Sequence, residues 1–135
     1  MLNFMKAYTI SKKFNNLFEG NIIQLGFFDY SNKVLYDVGT VEFENIYKSF
    51  IILHSSLKNE TVPLKRGEGS DGGNIIIIYD NNEIYKIFIN YAMPSSKIGI
   101  TISDKSNFSI TKYYIIENSI EEDFLRIYKT LLKIE

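Results

Sequence analysis

The sequence predicts one α+β domain, a mainly antiparallel sheet of five to seven strands with a C-terminal amphipathic helix packed on it. Composition is the first observation: 135 residues with 45% hydrophobic and 15% aromatic side chains suffice for a buried core. A β-hairpin signal in the second half and a helix signal at the end of the chain are the other two. We find no repeat or linker, and we expect residues 1–135 to form a single domain.

The hairpin is the strongest strand signal. Asn74–Tyr79 and Glu83–Tyr91 flank the turn Asp80–Asn82, whose asparagines tolerate positive φ. The run Ile75–Ile78 has no polar alternation, which is typical of a strand buried on both faces. We therefore expect it at the centre of the sheet.

Two more strands follow the hairpin. Isoleucine alternates with small residues at Ile98, Ile100 and Ile102, the period-two pattern of a half-buried strand. A turn at Lys105–Asn107 then leads into Phe108–Ile116.

The last element carries the clearest helix signal. Ser119 and Glu122 have the spacing of a capping box, and acids in the first turn with lysines in the last complement the helix dipole. Apolar residues at helical spacing form one continuous stripe: Ile120, Phe124, Ile127, Leu131 and Ile134. We expect this stripe to pack on the sheet.

The first half of the chain is less regular. Ile22–Phe28 reads as a strand, and Val34–Phe43 is expected to be a second one with a bulge near Gly39. Glu44–Leu57 carries a helical stripe, but part of it is also a good β run, so helix is only weakly favoured over strand. Before Ile22, helical spacing suggests a short helix that Ser11 caps.

Composition excludes several kinds of chemistry. With no cysteine, disulfides, thiol nucleophiles and Cys-ligated metals are ruled out, and His54 is the only histidine. We expect His54 to be a partly buried, hydrogen-bonded residue rather than a catalytic one. The net charge of -1 lacks the basic excess of nucleic-acid binders. We expect no catalytic, metal or cofactor site, no nucleic-acid or membrane partner, and a cytoplasmic location.

Two features suggest a binding surface. The glycine-rich loop Arg66–Gly73 leads into a strand, lacks the phosphate-binding lysine and carries two acids, so a phosphate site is disfavoured. A flexible loop between two halves of the fold is favoured, and such loops often carry binding residues. The strand Glu83–Tyr91 has apolar residues on both faces, so one face either meets a partner or is simply covered by the fold. Both interpretations stay open.

The chain resembles the immunity proteins of bacterial polymorphic and contact-dependent-inhibition toxins. The features that carry the resemblance are small size, absence of cysteine, mild acidity, richness in Ile, Asn, Lys and Tyr, the loop Arg66–Gly73 and the terminal helix Ser119–Glu135. It implies a monomeric or homodimeric, non-catalytic inhibitor that binds a cognate protein toxin, of which nucleases are one class.

We expect the partner-binding residues among polar side chains that the core does not need. They are Arg66, Glu68, Ser70 and Asp71 in the loop, and Glu117, Glu121 and Glu122 near the final helix. Exposed acids would attract a basic toxin and speed association.

Two alternatives stay open beside this one. If Phe50–Leu57 were a strand, the strand count would suit a pleckstrin-homology-like or small barrel that binds a lipid or another small ligand. The size and mixed α/β content also suit a type III secretion chaperone.

Overall fold

The computed structural model describes residues 2–29, 32–63, 73–92 and 96–131, and these residues form three helices and seven strands. In chain order the elements are α1 (Leu2–Asn15), β1 (Ile22–Phe28), β2 (Lys33–Asp37), α2 (Val41–Ser55), β3 (Asn59–Glu60), β4 (Asn74–Tyr79), β5 (Ile84–Ala92), β6 (Lys97–Ser103), β7 (Ser109–Ile115) and α3 (Glu121–Leu131). None of these helices is long and apolar enough to cross a membrane.

All seven strands belong to one antiparallel sheet with the order β2-β1-β4-β5-β6-β7-β3. Consecutive strands β4 to β7 form a meander, and its last two strands are the ones expected after the hairpin. The predicted hairpin is confirmed, with Ile75 opposite Ile87. The isoleucine-rich β4 lies in the interior of the sheet between β1 and β5, so its central position is also confirmed.

The segment after β2 corrects one prediction. Residues 34–43 do not form one strand: β2 ends at Asp37, and Gly39, instead of forming a bulge, occupies a turn with φ of 98°. The carbonyl of Asp37 accepts hydrogen bonds from the backbone N–H and hydroxyl of Thr40, which closes the turn. The Thr40 hydroxyl in turn accepts the N–H of Phe43 and caps α2. Capping chemistry thus overrides the β-propensity of Val41 and Phe43.

Helix α2 resolves the ambiguity of residues 44–57 in favour of helix. It spans Val41–Ser55 and buries Phe43, Ile46, Phe50 and Leu53 on one side. Helix α1 spans Leu2–Asn15, so Ser11 lies inside the helix and does not cap its start.

Helix α3 begins at Glu121, two residues beyond Ser119, and no Ser119–Glu122 capping bond occurs among the described residues. It packs against α2, and Ile120 and Ile127 lie against the core. The side chains of Phe124 and Leu131, and the whole of Ile134, lie outside the described part of the chain. The continuous apolar stripe and its packing on the sheet therefore stay predictions.

Candidate functional site: the open face of the sheet

The register of the strands assigns each residue to one of two sheet faces. Leu25 lies opposite Ile77, which lies opposite Tyr85, so these three side chains share one face. That face packs against the helices in a single core cluster with residues such as Phe14 and Phe50. We call it the covered face.

The opposite face lacks helical cover among the described residues, and we call it the open face. Three buried apolar residues stand outside the core cluster, namely Phe28, Ile76 and Ala92, and the strand register places all three on this face. It also carries Gln24 and Gly26 of β1, Leu35 of β2, Ile78 of β4, Ile84, Lys86, Phe88 and Asn90 of β5, Thr101 of β6, and Thr111, Tyr113 and Ile115 of β7.

An aromatic pair forms the centre of the open face. The rings of Phe28 and Phe88 meet edge to face with their centroids 5.3 Å apart, and the Lys86 Nζ lies 5.3 Å from the Phe28 centroid. Ile76, on the same face of β4, is 1% exposed and Phe28 is 8% exposed, whereas Phe88 is 37% exposed. Phe88 therefore presents part of an aromatic ring to solvent on this face.

Half-buried apolar residues extend this centre in both directions along the sheet. Leu35, Ile78 and Ile84 are partly exposed, and Ile115 at the far side is 41% exposed. Polar residues interrupt the patch, among them Thr101 and Thr111, whose hydroxyls are 2.8 Å apart. An apolar, aromatic centre with a polar surround is the usual anatomy of a protein interface.

A cluster of polar and aromatic side chains lies beside the β4–β5 turn. Lys13 Nζ is 3.8 Å from the Tyr79 ring centroid and 3.7 Å from Glu83 Oε1. The Tyr85 hydroxyl donates to Glu83 Oε2 at 3.0 Å, and the Asn81 amide donates to Glu83 Oε1 at 2.8 Å. Glu83 and Tyr85 border two clefts of about 300 and 350 Å³.

The bonds within this cluster set the protonation of its members. The hydrogen bond from Asn81, helped by Tyr85 and Lys13, lowers the pKa of Glu83. Burial, with the bond to Glu83 as a further cause, raises the pKa of Tyr85 to about 12. Burial also raises the pKa of Tyr79, whose hydroxyl donates to the Leu17 carbonyl at 2.5 Å. A tyrosine with a raised pKa stays protonated at neutral pH, so these two hydroxyls act as hydrogen-bond donors that join neighbouring parts of the fold.

The acids predicted near α3 have different surroundings. Glu117 is exposed and accepts a hydrogen bond from Asn59 at 3.1 Å, and Glu122 is exposed. Glu121 Oε2 accepts hydrogen bonds from the Tyr91 hydroxyl at 2.7 Å and from the Ser96 hydroxyl, which lowers its pKa. The fold therefore uses Glu121 to tie α3 to the sheet, while Glu117 and Glu122 present their acids to solvent.

The other predicted binding residues, Arg66, Glu68, Ser70 and Asp71, lie outside the described residues. That the loop and the α3 acids form one binding site therefore stays a prediction.

The single histidine is structural. His54 Nε2 lies 2.7 Å from the Phe14 carbonyl oxygen, so this nitrogen carries the proton and donates it. Its ring also packs edge to face on Phe14 and Phe18. The side chain is half-buried, as the sequence predicted. Within the described residues no three His, Asp or Glu side chains are grouped to hold a metal ion.

Phe28 and Phe88 were not among the residues predicted to bind a partner. The sequence contained a signal for such a surface, because β5 carries apolar residues at both odd and even positions. Tyr85 therefore lies on one face and Phe88 on the other. What the sequence lacked was the pairing of β5 with β4 and of β4 with β1, which places Phe88 and Phe28 close together on the face without helices.

Comparison with known proteins returned no matching family model, no related curated protein and no similar solved structure.

Proposed function

We propose that this chain is a non-catalytic binding protein of the immunity type, which binds and neutralises a cognate toxin domain in the cytoplasm. The observation that carries the proposal is the aromatic centre of the open face, where the ring of Phe88 packs on Phe28 and Phe88 is 37% exposed. Aromatic residues at a partly desolvated centre are the usual source of binding energy at protein interfaces.

The dimensions of the open face favour a protein partner. Seven strands of two to nine residues, spaced about 4.8 Å apart, cover at most roughly 30 by 20 Å. This area is on the order of one partner's share of a standard protein interface, about 800 Å². A small ligand is usually held in a concave pocket that buries most of its surface. Neither of the two clefts beside the β4–β5 turn is lined by Phe28 or Phe88.

Positive and negative charges lie in different parts of this surface. The described part of the open face carries Lys33, Lys86 and Lys97 against one acid, Asp37. Glu117 lies two residues beyond Ile115, at the end of the sheet where β7 pairs with β3. A partner that fits both regions has acidic groups opposite the centre and basic groups opposite Glu117 and Glu122. A nuclease domain with a basic active-site cleft would supply the basic groups opposite Glu117 and Glu122.

The barrel alternative depended on a strand at Phe50–Leu57. Residues up to Ser55 of that segment belong to α2, and the sheet is open, with β2 at one edge and β3 at the other. The strand arrangement that suggested a small-ligand barrel is therefore absent from the described residues.

The test is co-expression with the toxic domain encoded beside this gene, followed by calorimetry of the two purified proteins. We expect rescue of growth and tight one-to-one binding. Phe88→Asp should weaken binding by about thirtyfold or more, because it places a charge at the centre of the interface. Phe4→Asp is the matched control, since Phe4 is an exposed phenylalanine on α1.

Charge reversals test the outer part of the proposed interface. Reversal of Glu117 with Glu122, or of Glu68 with Asp71, should slow association and leave the dissociation rate nearly unchanged. Absence of binding to the neighbouring toxin would refute the immunity assignment. Binding that Phe88→Asp and Phe4→Asp affect equally would refute the use of the open face.

A further inference from the structure

Strand β2 forms an edge of the sheet among the described residues. Two backbone hydrogen bonds at the ends of β2 show which of its residues bond to β1. The Val38 N–H donates to the Ile23 carbonyl, and the Asp29 N–H donates to the Asn32 carbonyl. In an antiparallel pair the bonded residues alternate, so Val34 and Tyr36 also direct their backbone groups toward β1.

The remaining residues, Lys33, Leu35 and Asp37, direct their backbone N–H and C=O groups away from the sheet. The Asp37 carbonyl already accepts hydrogen bonds from Thr40, so at this residue the N–H is the group that can pair with another strand. Leu35 and Lys33 each have both groups available, since no described strand lies beyond β2. An edge of this kind is a template for another strand.

The sequence of this edge is complementary to itself. Around a two-fold axis at Leu35, an antiparallel copy places Lys33 opposite Asp37 and Val34 opposite Tyr36, with Leu35 opposite its own counterpart. The outward backbone groups at residues 33, 35 and 37 then meet one another, and each lysine faces an aspartate. Opposite charges directly across a strand pair are stabilising.

We propose that β2 is a homodimerisation edge, and that a second copy of this chain pairs with it antiparallel about Leu35. A shift of the register by two residues separates Lys33 from Asp37, and a shift by one residue moves the side chains to the wrong faces. Charge and backbone pattern therefore select the same register. Lys33 has no ion pair among the described residues, and Asp37 is exposed with one carboxylate oxygen bonded to Gln24.

The axis of such a pair is perpendicular to the sheet, so both copies present their open faces on the same side. Leu35 of each copy lies on that face, and the two aromatic centres become parts of one continuous surface. Pairing of one short strand buries less area than a stable interface needs, so the dimer is weak and depends on concentration. The proposal does not depend on the toxin-binding function.

The experiment is sedimentation of the isolated protein from micromolar to millimolar concentration, and we expect a reversible monomer–dimer equilibrium. Lys33→Asp or Asp37→Lys alone places like charges opposite each other twice, which should weaken the dimer about tenfold. An equimolar mixture of these two variants should recover dimerisation, because each lysine then faces an aspartate again. Lys48→Asp, an exposed lysine on α2, is the control that should change nothing.

Leu35→Pro supplies a second, independent variant. Its N–H points away from β1, so proline removes a donor of the dimer and leaves the ladder to β1 intact. A protein that is monomeric at millimolar concentration would overturn the proposal. So would a dimer in which the mixture of charge variants is no tighter than either variant alone.

Discussion

The ammonium group of Lys13 lies over the ring of Tyr79, with Nζ 3.8 Å from the ring centroid. The same group is 3.7 Å from Glu83 Oε1, and the lysine side chain is 18% exposed. One cation therefore joins the end of α1 to the β4–β5 hairpin, 66 positions further along the chain at Tyr79. A cation that is partly removed from water over an aromatic face stabilises more than a fully exposed ion pair.

Lys13→Met is expected to lower the free energy of unfolding by about 1 kcal/mol, because it keeps the apolar stem and removes the charge over the ring. Lys12→Met is the matched control, since Lys12 is exposed in the same helical turn and loses the same interaction with the helix dipole. Chemical denaturation of both variants measures the difference. Equal losses in the two variants would show that the contact with Tyr79 contributes nothing.

Tyr79→Phe removes the hydroxyl that donates to the buried Leu17 carbonyl at 2.5 Å. The carbonyl is then left without this partner, and we expect a loss of about 1–3 kcal/mol in the free energy of unfolding. Tyr8→Phe, at an exposed tyrosine of α1, should leave stability unchanged. Thermal and urea unfolding both report the effect, and a stable Tyr79→Phe variant would contradict the role of this bond.

Gly26→Ala is expected to destabilise the protein by about 1–3 kcal/mol. A Cβ at this position would lie 1.8 Å from the Val34 carbonyl oxygen and 2.9 Å from the Leu35 Cα, and backbone atoms cannot move aside cheaply. Gly39 provides a contrast, since the space around it is open and a substitution there has only to adopt a positive φ. Gly39→Asn should therefore cost less than Gly26→Ala in the same unfolding assay.

Glu121→Gln tests the tie between α3 and the sheet through its pH dependence. The hydrogen bonds from Ser96 and Tyr91 lower the pKa of this carboxyl in the folded state. Its contribution to stability is therefore present above the unfolded pKa of about 4.3 and is lost as pH falls through the folded pKa. The stability difference between wild type and variant should accordingly be greatest near neutral pH and shrink in acid. Glu122→Gln, at the exposed neighbouring position, is the control.

The parts of the fold that local pattern specifies were predictable. The β4–β5 hairpin follows from two apolar runs around Asp80–Asn82, and the structure forms it with Asn82 at φ of 69°. The helical stripe Ile46, Phe50 and Leu53 also predicted its own burial, because each residue falls on the same side of α2.

The error at residues 34–43 has a physical cause. Val34–Phe43 has strand composition throughout, and the deciding contacts are local hydrogen bonds of Thr40 to Asp37 and from Phe43 to Thr40. A turn at Gly39 followed by a capping threonine is a helix start signal, but two apolar residues in the first helical turn masked it.

The sequence by itself determined the class of the domain, the β4–β5 hairpin and the absence of cysteine chemistry, and it favoured helix over strand at residues 44–57 only weakly. These depend on periodicity and turn residues, which act over a few positions. The tertiary structure decided the strand order, and with it which face of β5 the helices cover. It also decided that Phe88 meets Phe28 and that β2 is an edge. Such relationships join residues far apart in the chain, and they depend on how the whole sheet minimises the apolar surface it leaves in water.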